Sequence, residues 1–499
     1  MNTRAGKLWG GLALAALLSF NTTATTFYVD ANGTNPVSPY TDWSTAATNI
    51  QDAIDVSTNG DLVLVTNGVY ATGGRSWYGS GTNRVTLTNA ITLQSVNGPA
   101  VTWIVGNQVA GTGSALTNAA RCVGMGSMGS GPVLSGFTLT NGEAGTGNYL
   151  NGGGVAFLNG INAGIVTNCV LVGNLATNSA GGGAYRCKLI NCQITGNSAL
   201  NGGGAYGCTL INCVVTSNTA APGIGQPGGY GGGACNSTNF NCIISGNVAA
   251  SRGGGTYGST LINCTVVANS SSFQGGGVDE SHAIQNCIVY CNAASFAPNI
   301  NGGGAFTNCC TTPLPSFGAK NITNDPAFVD LVNGDFHLSS NSPCINAGNN
   351  AFVSGTNDFD GNPRIVGGTV DIGAYEYQTP ASTLSYAWAQ QYGLPTDGSA
   401  DSTDTDGDGL NNWQEWKAGT VPTNAASVLQ LASPTNSVSG MVVTWQSVSG
   451  ITYYLQRSSD LAGGFSSLVS NRVGQAGSTR YTDTSATNAG PYFYRVGVQ

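Results

Sequence analysis

The sequence predicts an all-β chain built around a parallel β-helix, and three observations predict it. First, an Asn-Cys pair follows a run of three glycines seven times between Gly152 and Cys309. The pairs fall at 168–169, 191–192, 212–213, 241–242, 263–264, 286–287 and 308–309, in steps of 23, 21, 29, 22, 23 and 22 residues. A fixed period of this size marks a stacked-repeat architecture. Second, Cys169 and Leu171, Cys192 and Ile194, and Cys213 and Val215 alternate with more polar residues, as a strand with one buried face requires. Third, the units are made of Gly, Asn, Ser and Thr corners around short β-branched runs, whereas helical repeats need longer units with Ala, Leu and charged faces.

Stacking turns equivalent residues into columns spaced ~4.8 Å apart. Six pairs extend to N-C-x-[IVL]-x-x-N, with the second Asn at Asn174, Asn197, Asn218, Asn247, Asn269 and Asn292. Both Asn columns are expected to hydrogen-bond along the stack at corners, where Asn tolerates left-handed geometry. The glycines suit the tight corner opposite. Tyr185, Tyr206, Tyr257 and Phe306 follow them as an aromatic column.

Taken from its start, the chain opens with Arg4 and Lys7, an apolar run from Leu8 to Phe20 and small residues near Thr22 and Ala24. This is the pattern of a signal peptide cleaved near residue 24, too short to span a membrane, and it predicts a secreted or cell-surface bacterial protein. The formal charge is −8, or −10 without those two cations, and only 8% of residues are charged. Such a chain has no basic footprint for nucleic acid. No other long apolar segment follows, so the mature chain is expected to lack a transmembrane span and to be a monomer.

Residues 25–130 read as an N-terminal cap and first coils. Ala46 to Val56 forms a short amphipathic helix candidate with Ile50, Ala53 and Ile54 on one face. It would cover the open end of the solenoid, where a bare parallel edge invites aggregation. DLVLV and ITLQSV are strand-like, and SGFTLTNG (135–142) is the first clear coil strand, opening the repeats of 131–323.

VDANGTNPVSPYTDWSTAATNIQDAID, ITLQSVNGPAVT and SGFTLTNG resemble bacterial secreted right-handed parallel β-helix repeat proteins. NDPAFVDLVNGDFHLSSNSPCINAGNN with DFDGNPRIVGGTVDIGAYEY (324–377) is similar to the choice-of-anchor Q module that commonly follows such helices. The GGGA repeat is more distantly similar to polymorphic outer-membrane proteins. The resemblance spans roughly residues 26–377 and implies a right-handed solenoid with a C-terminal cap. It implies little about activity, because the fold hosts lyases, hydrolases and adhesins.

In the linker (381–425), DSTDTDGDGLNNWQEW carries Asp404, Asp406 and Asp408 at loop positions 1, 3 and 5, and Gly409 at 6. Leu410 offers its carbonyl at 7, Asn412 stands at 9 and Glu415 at 12. That is the spacing by which a twelve-residue loop surrounds Ca²⁺ with oxygen. It resembles the EF-hand-like loops of dockerins and thrombospondin type-3 repeats, in a single copy that implies a structural clamp. Residues 426–499 alternate in VLQLA, MVVTWQ, TYYLQRS, STRYTDT and YFYRVGV, as in a small β-sandwich. They look like the fibronectin-like end modules of bacterial surface proteins. Trp445, Tyr453, Tyr454 and Tyr494 are either its core or a sugar platform, and so small a sandwich favours core.

Fourteen cysteines in an exported chain would ordinarily mean disulfides. In a column, however, parallel Cα–Cβ bonds hold Cβ atoms ~4.8 Å apart, beyond the ~3.5–4.5 Å of a disulfide. The seven Asn-Cys thiols therefore read as small buried hydrophobes, with Cys187 and Cys208 a second short column. Cys122, Cys291, Cys310 and Cys344 stay open as disulfide partners.

Between Ala144 and Cys310 the charged or His residues are Arg186, Lys188, Arg252, Asp279, Glu280 and His282. Asp279, Glu280 and His282 are the candidate catalytic cluster. They lie in a coil with eleven residues from its first glycine to Asn-Cys, against ten in the coil before it. Adjacent Asp and Glu on a strand point to opposite faces, which favours a solvated bulge instead. The outward strand positions, Val170, Val172, Gln193, Thr195, Val214, Thr216, Ile243, Ser245, Thr265, Val267, Ile288 and Tyr290, form a neutral ladder. The reading that follows is an extracellular binding or adhesion protein for a polysaccharide or another surface polymer, with structural Ca²⁺. Its rivals are a polysaccharide lyase or other carbohydrate-active enzyme, and a surface spacer.

Overall fold

The computed structural model describes residues 24–76, 81–109, 118–126, 131–144, 151–158, 160, 164–222, 228–302, 304–487 and 490–499. The expected signal segment lies outside them. Among the described residues, three long sheets run along a solenoid. The first has eleven parallel strands from Thr26–Val29 to Ala305–Thr307, and the second has ten from Gly68–Tyr70 to Cys310–Thr311. The third, ending at Ile300–Asn301, also has ten, and a five-stranded sheet joins the corner between Leu175–Ala180 and Ser270–Ser271. Parallel crossovers of this kind wind right-handed, and the all-β solenoid expected from the repeat is the fold of this chain.

The first coils begin earlier than the repeat suggests, with Thr26–Val29 already pairing with Leu62–Val65. The helix is Ile50–Val56, shorter than expected because Asn49 caps it by accepting from Gln51 N. Its buried residues are Ile50, Ala53 and Ile54, the face expected to meet the solenoid.

The two Asn columns divide the work that was expected of both. The first takes the left-handed corner, with φ of 50–53° at Asn168, Asn191, Asn212, Asn241, Asn263, Asn286 and Asn308. The second forms the ladder: Asn174 Nδ2 donates to Asn197 Oδ1 (3.0 Å), Asn197 to Asn218 (2.9 Å), Asn218 to Asn247 (3.0 Å), Asn247 to Asn269 (2.9 Å) and Asn269 to Asn292 (3.0 Å). Asn292 continues it to Asn299 (3.0 Å). Opposite them, a Cβ on Gly203 would lie 2.4 Å from Thr219 O and 2.5 Å from Gly232 O, so only glycine lets the coils close there.

The aromatic column also needs correction. In the third sheet Tyr185 pairs with Tyr206, then come Cys235, Tyr257, Asp279 and Asn301. Phe306 lies in the first sheet opposite Ile284, fully buried. The last coil has only six residues from Gly302 to Asn308, so its glycine run cannot hold the same place in the turn.

The column cysteines are buried in the core with Leu171, Leu189, Ile194, Leu210 and Val215. Burial pushes the Cys169 thiol up to about 11 and Cys309 up to about 12. Cys291 is the exposed cysteine, and the other thirteen are buried. We therefore expect a charged thiol reagent to react quickly with one thiol of the native protein and to reach the column only on unfolding. Fast reaction of several native thiols would contradict this packing.

Residues 317–322 close the end of the stack, bridging Thr307 to Ala319 and Cys310 to Ile322. The segment expected as an end cap instead turns back and lies along the flank of the second sheet. Leu338, Cys344, Ile345, Ile372 and Tyr386 pack on Ile288 and Cys310, while Phe336 and Ala374 pack on Ile243 and Val267. The left-handed Asn corners serve as its rail: Asn241, Asn286 and Asn308 donate to the carbonyls of Asn357, Asn349 and Ala347, each at 3.0 Å. Inside this arm Arg364 is buried, donating to the carbonyls of Asp371, Gly373 and Ala374. Burial pushes Asp371 up to about 7 and Glu376 up to about 8.

At the edge of the arm, His337 reaches Asp335 through Nδ1 (2.5 Å) and Asp360 through Nε2 (2.7 Å), with its ring 4.0 Å from that of Tyr375. Burial opposes the imidazolium, but Asp360 and Asp335 outweigh it and raise the pKa above its ordinary 6.5. A raised histidine pKa stabilises the fold below the unfolded value, and that contribution disappears as pH rises through the folded value. His337→Gln should therefore lower the melting temperature at pH 5.5 and leave it unchanged at pH 9. Asp371 and Glu376 act with the same sign on both proteins, so the difference isolates His337. An equal loss at both pH values would show that the ring acts by packing alone.

The C-terminal unit holds two three-stranded antiparallel sheets, Thr435–Ser437 with Gly440–Ser447 and Gly477–Asp483, and Ser466–Val473 with Thr452–Ser458 and Phe493–Val498. Ser466–Val473 was missing from the expected strands, and VLQLA contributes only a bridge from Leu431 to Trp445. Trp445 and Tyr453 are fully buried core.

Candidate functional site

The long coil separates its candidate catalytic residues. Asp279 is fully buried; its Oδ1 accepts from Asn301 Nδ2 (2.9 Å), while Oδ2 is buried without a partner among the described residues. Burial raises its pKa. Glu280 adopts φ +47° and turns outward, pairing with Arg252 Nη1 (2.9 Å) and accepting from Tyr257 Oη (2.8 Å). The extra residue leaves Ser281 buried and His282 exposed. The coil thus directs one carboxylate inward and one into an ion pair, with the imidazole beside them in solvent. General acid–base work needs two groups converging on one bond, and Asp279 and Glu280 are directed apart.

The neutral ladder is divided in two. From the coil of Ile243 onward the arm covers it: Ile243, Thr265, Val267 and Ile288 are buried, and Thr265 Oγ1 accepts from Ala374 N (3.1 Å). Before that coil, Val170, Val172, Gln193, Thr195, Val214 and Thr216 stay at least partly accessible. Register continues the same face toward the N-terminus through the buried Thr138, since Val170 pairs with Thr138, Thr138 with Trp103, and Trp103 with Val69. Trp103 is 41% exposed and Val69 63% exposed, two residues that sequence reasoning missed because they precede the recognisable repeats.

The acidic loop is a constructed cage. Oxygens of Asp404, Asp406 and Asp408 lie within 4.8 Å of one another. The chain is wrapped around them by its own amides: Asp404 accepts from Gly407 N (2.7 Å) and Gly409 N (2.9 Å), and Asp408 from Leu410 N (2.8 Å). Glu415 enters from the helix Asn412–Ala418, capped by Asn411, and is fully buried. Its Oε2, with Asp406 Oδ2 and Asp408 Oδ2, is buried without a partner among the described residues. Burial, then Asp406, Asp408 and Asp404, push Glu415 up to about 7. Hard oxygen donors held together against their own repulsion fit a divalent cation such as Ca²⁺. Asn412 does not contribute its side chain as expected. It donates to Ala400 O (2.8 Å) and accepts from Thr405 Oγ1 (2.9 Å), fastening the ends of the loop.

No family model matches the chain, and no curated protein matches it. Among solved structures it is similar to pectate lyase Pel9A, at 16% identity over 72% of this chain and 97% of that one, with a TM-score of 0.40. It is also similar to a rhamnogalacturonan lyase, at 13% identity over 69% of this chain and 90% of that one, with a TM-score of 0.27.

Proposed function

We propose that this chain is an extracellular or cell-surface module that binds a polysaccharide or another surface polymer, stiffened by Ca²⁺ in the Asp404–Glu415 loop. The observation that carries the reading is the open half-face from Val69 to Thr216. It is a neutral strand surface, accessible at Val69, at Trp103 and from Val170 to Thr216, and interrupted at the buried Thr138. Flat strand ladders present repeated polar and apolar side chains at constant spacing, which suits an extended ligand. The calcium loop lies where the arm meets the sandwich: Asn412 is tied to Ala400, and a Cβ on Gly419 at the helix end would touch Ile451. Among the described residues no helix is long and apolar enough to cross a membrane. Retention of the mature protein on immobilised polysaccharides tests the reading. Specific, saturable retention by at least one glycan supports it, and no retention by any glycan refutes the polysaccharide as its ligand.

A further inference from the structure

The glycine corner carries a second concentration of chemistry, used by neither the open half-face nor the calcium loop. Phe273 and Phe296 lie on consecutive coils, linked by Phe296 N donating to Phe273 O (2.8 Å), and are 53% and 63% exposed. One coil earlier the place of Phe273 is held by Ser251, as the bridge from Arg252 to Gln274 shows. The Arg252 guanidinium stands 5.9 Å from the centre of the Phe273 ring and pairs with Glu280 (2.9 Å). Tyr257 donates to the other oxygen of Glu280 (2.8 Å), and Tyr230 stacks on Tyr257 with centroids 4.9 Å apart. These contacts join Arg252, Phe273, Glu280, Tyr257 and Tyr230, and the backbone bond brings exposed Phe296 onto the next coil.

We propose that this patch is a carbohydrate subsite for a neutral pyranose polysaccharide, a deepening that rests on the binding reading above. Two phenylalanines exposed by more than half leave apolar surface in water, which the non-polar face of a sugar ring would cover. Beside them the guanidinium offers donors and the carboxylate offers acceptors, the pair of functions that adjacent sugar hydroxyls satisfy together. Phe273 and Phe296 lie on successive coils, offset by one position because Phe296 bridges Gln274, so an elongated ligand meets one exposed ring per coil. The formal charge of −8 repels a polyanion and leaves neutral chains favoured. In this assignment Glu280 binds hydroxyls and transfers no proton.

The test is affinity electrophoresis and titration calorimetry with galactomannan, xyloglucan, a mixed-linkage β-glucan and polygalacturonate. It compares wild type with Phe273→Ala/Phe296→Ala, Glu280→Gln and Trp103→Ala. Because Phe273 and Phe296 are exposed, their variant should melt with the wild type. The proposal expects a neutral glycan to bind, the double variant to lose about tenfold or more in affinity, Glu280→Gln to lose several-fold, and Trp103→Ala to lose less. Wild-type affinity in the double variant with a loss in Trp103→Ala would overturn the subsite and leave the binding reading on the strand face. Preference for polygalacturonate would overturn the neutral-ligand assignment, and no binding by wild type would overturn the subsite together with the polysaccharide reading it rests on.

Discussion

Replacing Asn218 by Ala should cost the solenoid about 3–5 kcal/mol, because each buried group it strands costs ~1–3 kcal/mol before relaxation. Asn218 Nδ2 serves Ile194 O (2.8 Å), Thr216 O (3.0 Å) and Asn247 Oδ1 (3.0 Å). Its Oδ1 receives Asn197 N (3.0 Å) and Asn197 Nδ2 (2.9 Å). The residue is fully buried, so water cannot replace these partners without opening the corner. Asn218→Asp should be worse still, since it keeps the acceptor, removes the donors and places a charge in the core. Urea denaturation with native-state hydrogen exchange reads the effect, with protection falling first in the coils around Asn197 and Asn247. A loss under 1 kcal/mol for Asn218→Ala would mean that the ladder is incidental to stability.

The second large effect lies in the acidic loop. If Ca²⁺ occupies the cage, saturating calcium stabilises the protein by the linkage term, about 2.7 kcal/mol at a hundred times the dissociation constant. Asp406→Asn with Asp408→Asn should abolish that increment and the calcium uptake measured by calorimetry. The asparagines keep the acceptors for Asp408 N and Leu410 N. In chelator the double variant should therefore be at least as stable as wild type, because the repulsion on Glu415 is relieved. This crossing of stability order separates a metal cage from a merely structural acidic loop. Equal melting of wild type with calcium and with chelator would refute it.

Much of the fold was legible because a repeat writes the same physics many times. The Asn-Cys period, the alternation and the glycine runs specified coils, an inward thiol column and a tight corner. The aromatic column went astray at Phe306 because spacing was read from the glycines, and the last coil is four residues short of the usual ten. The flank arm was missed because outward positions mix apolar and polar residues in both halves: Val170, Val172 and Val214 with Gln193, Thr195 and Thr216 in the open coils, and Ile243, Val267 and Ile288 with Ser245 and Thr265 where the arm lies. At the candidate site, the three aspartates that the spacing put together do gather their oxygens, since a turn-rich twelve-residue loop is a local structure. The spacing misassigned Asn412, whose partner Ala400 lies outside the loop. The Arg252–Glu280–Tyr257 cluster was hidden because its members sit 23 and 28 residues apart and meet only through the stack.

The central claim, binding without chemistry at the long coil, is tested most directly by one incubation in which retention and new chain ends are followed together. Mature protein with calcium is held with each polysaccharide across pH 5–9, and reducing ends and unsaturated ends are measured over time. The account predicts a retained polymer of unchanged length. Chain ends that accumulate with wild type and vanish with Glu280→Gln or His282→Ala would contradict it and make the long coil an active site.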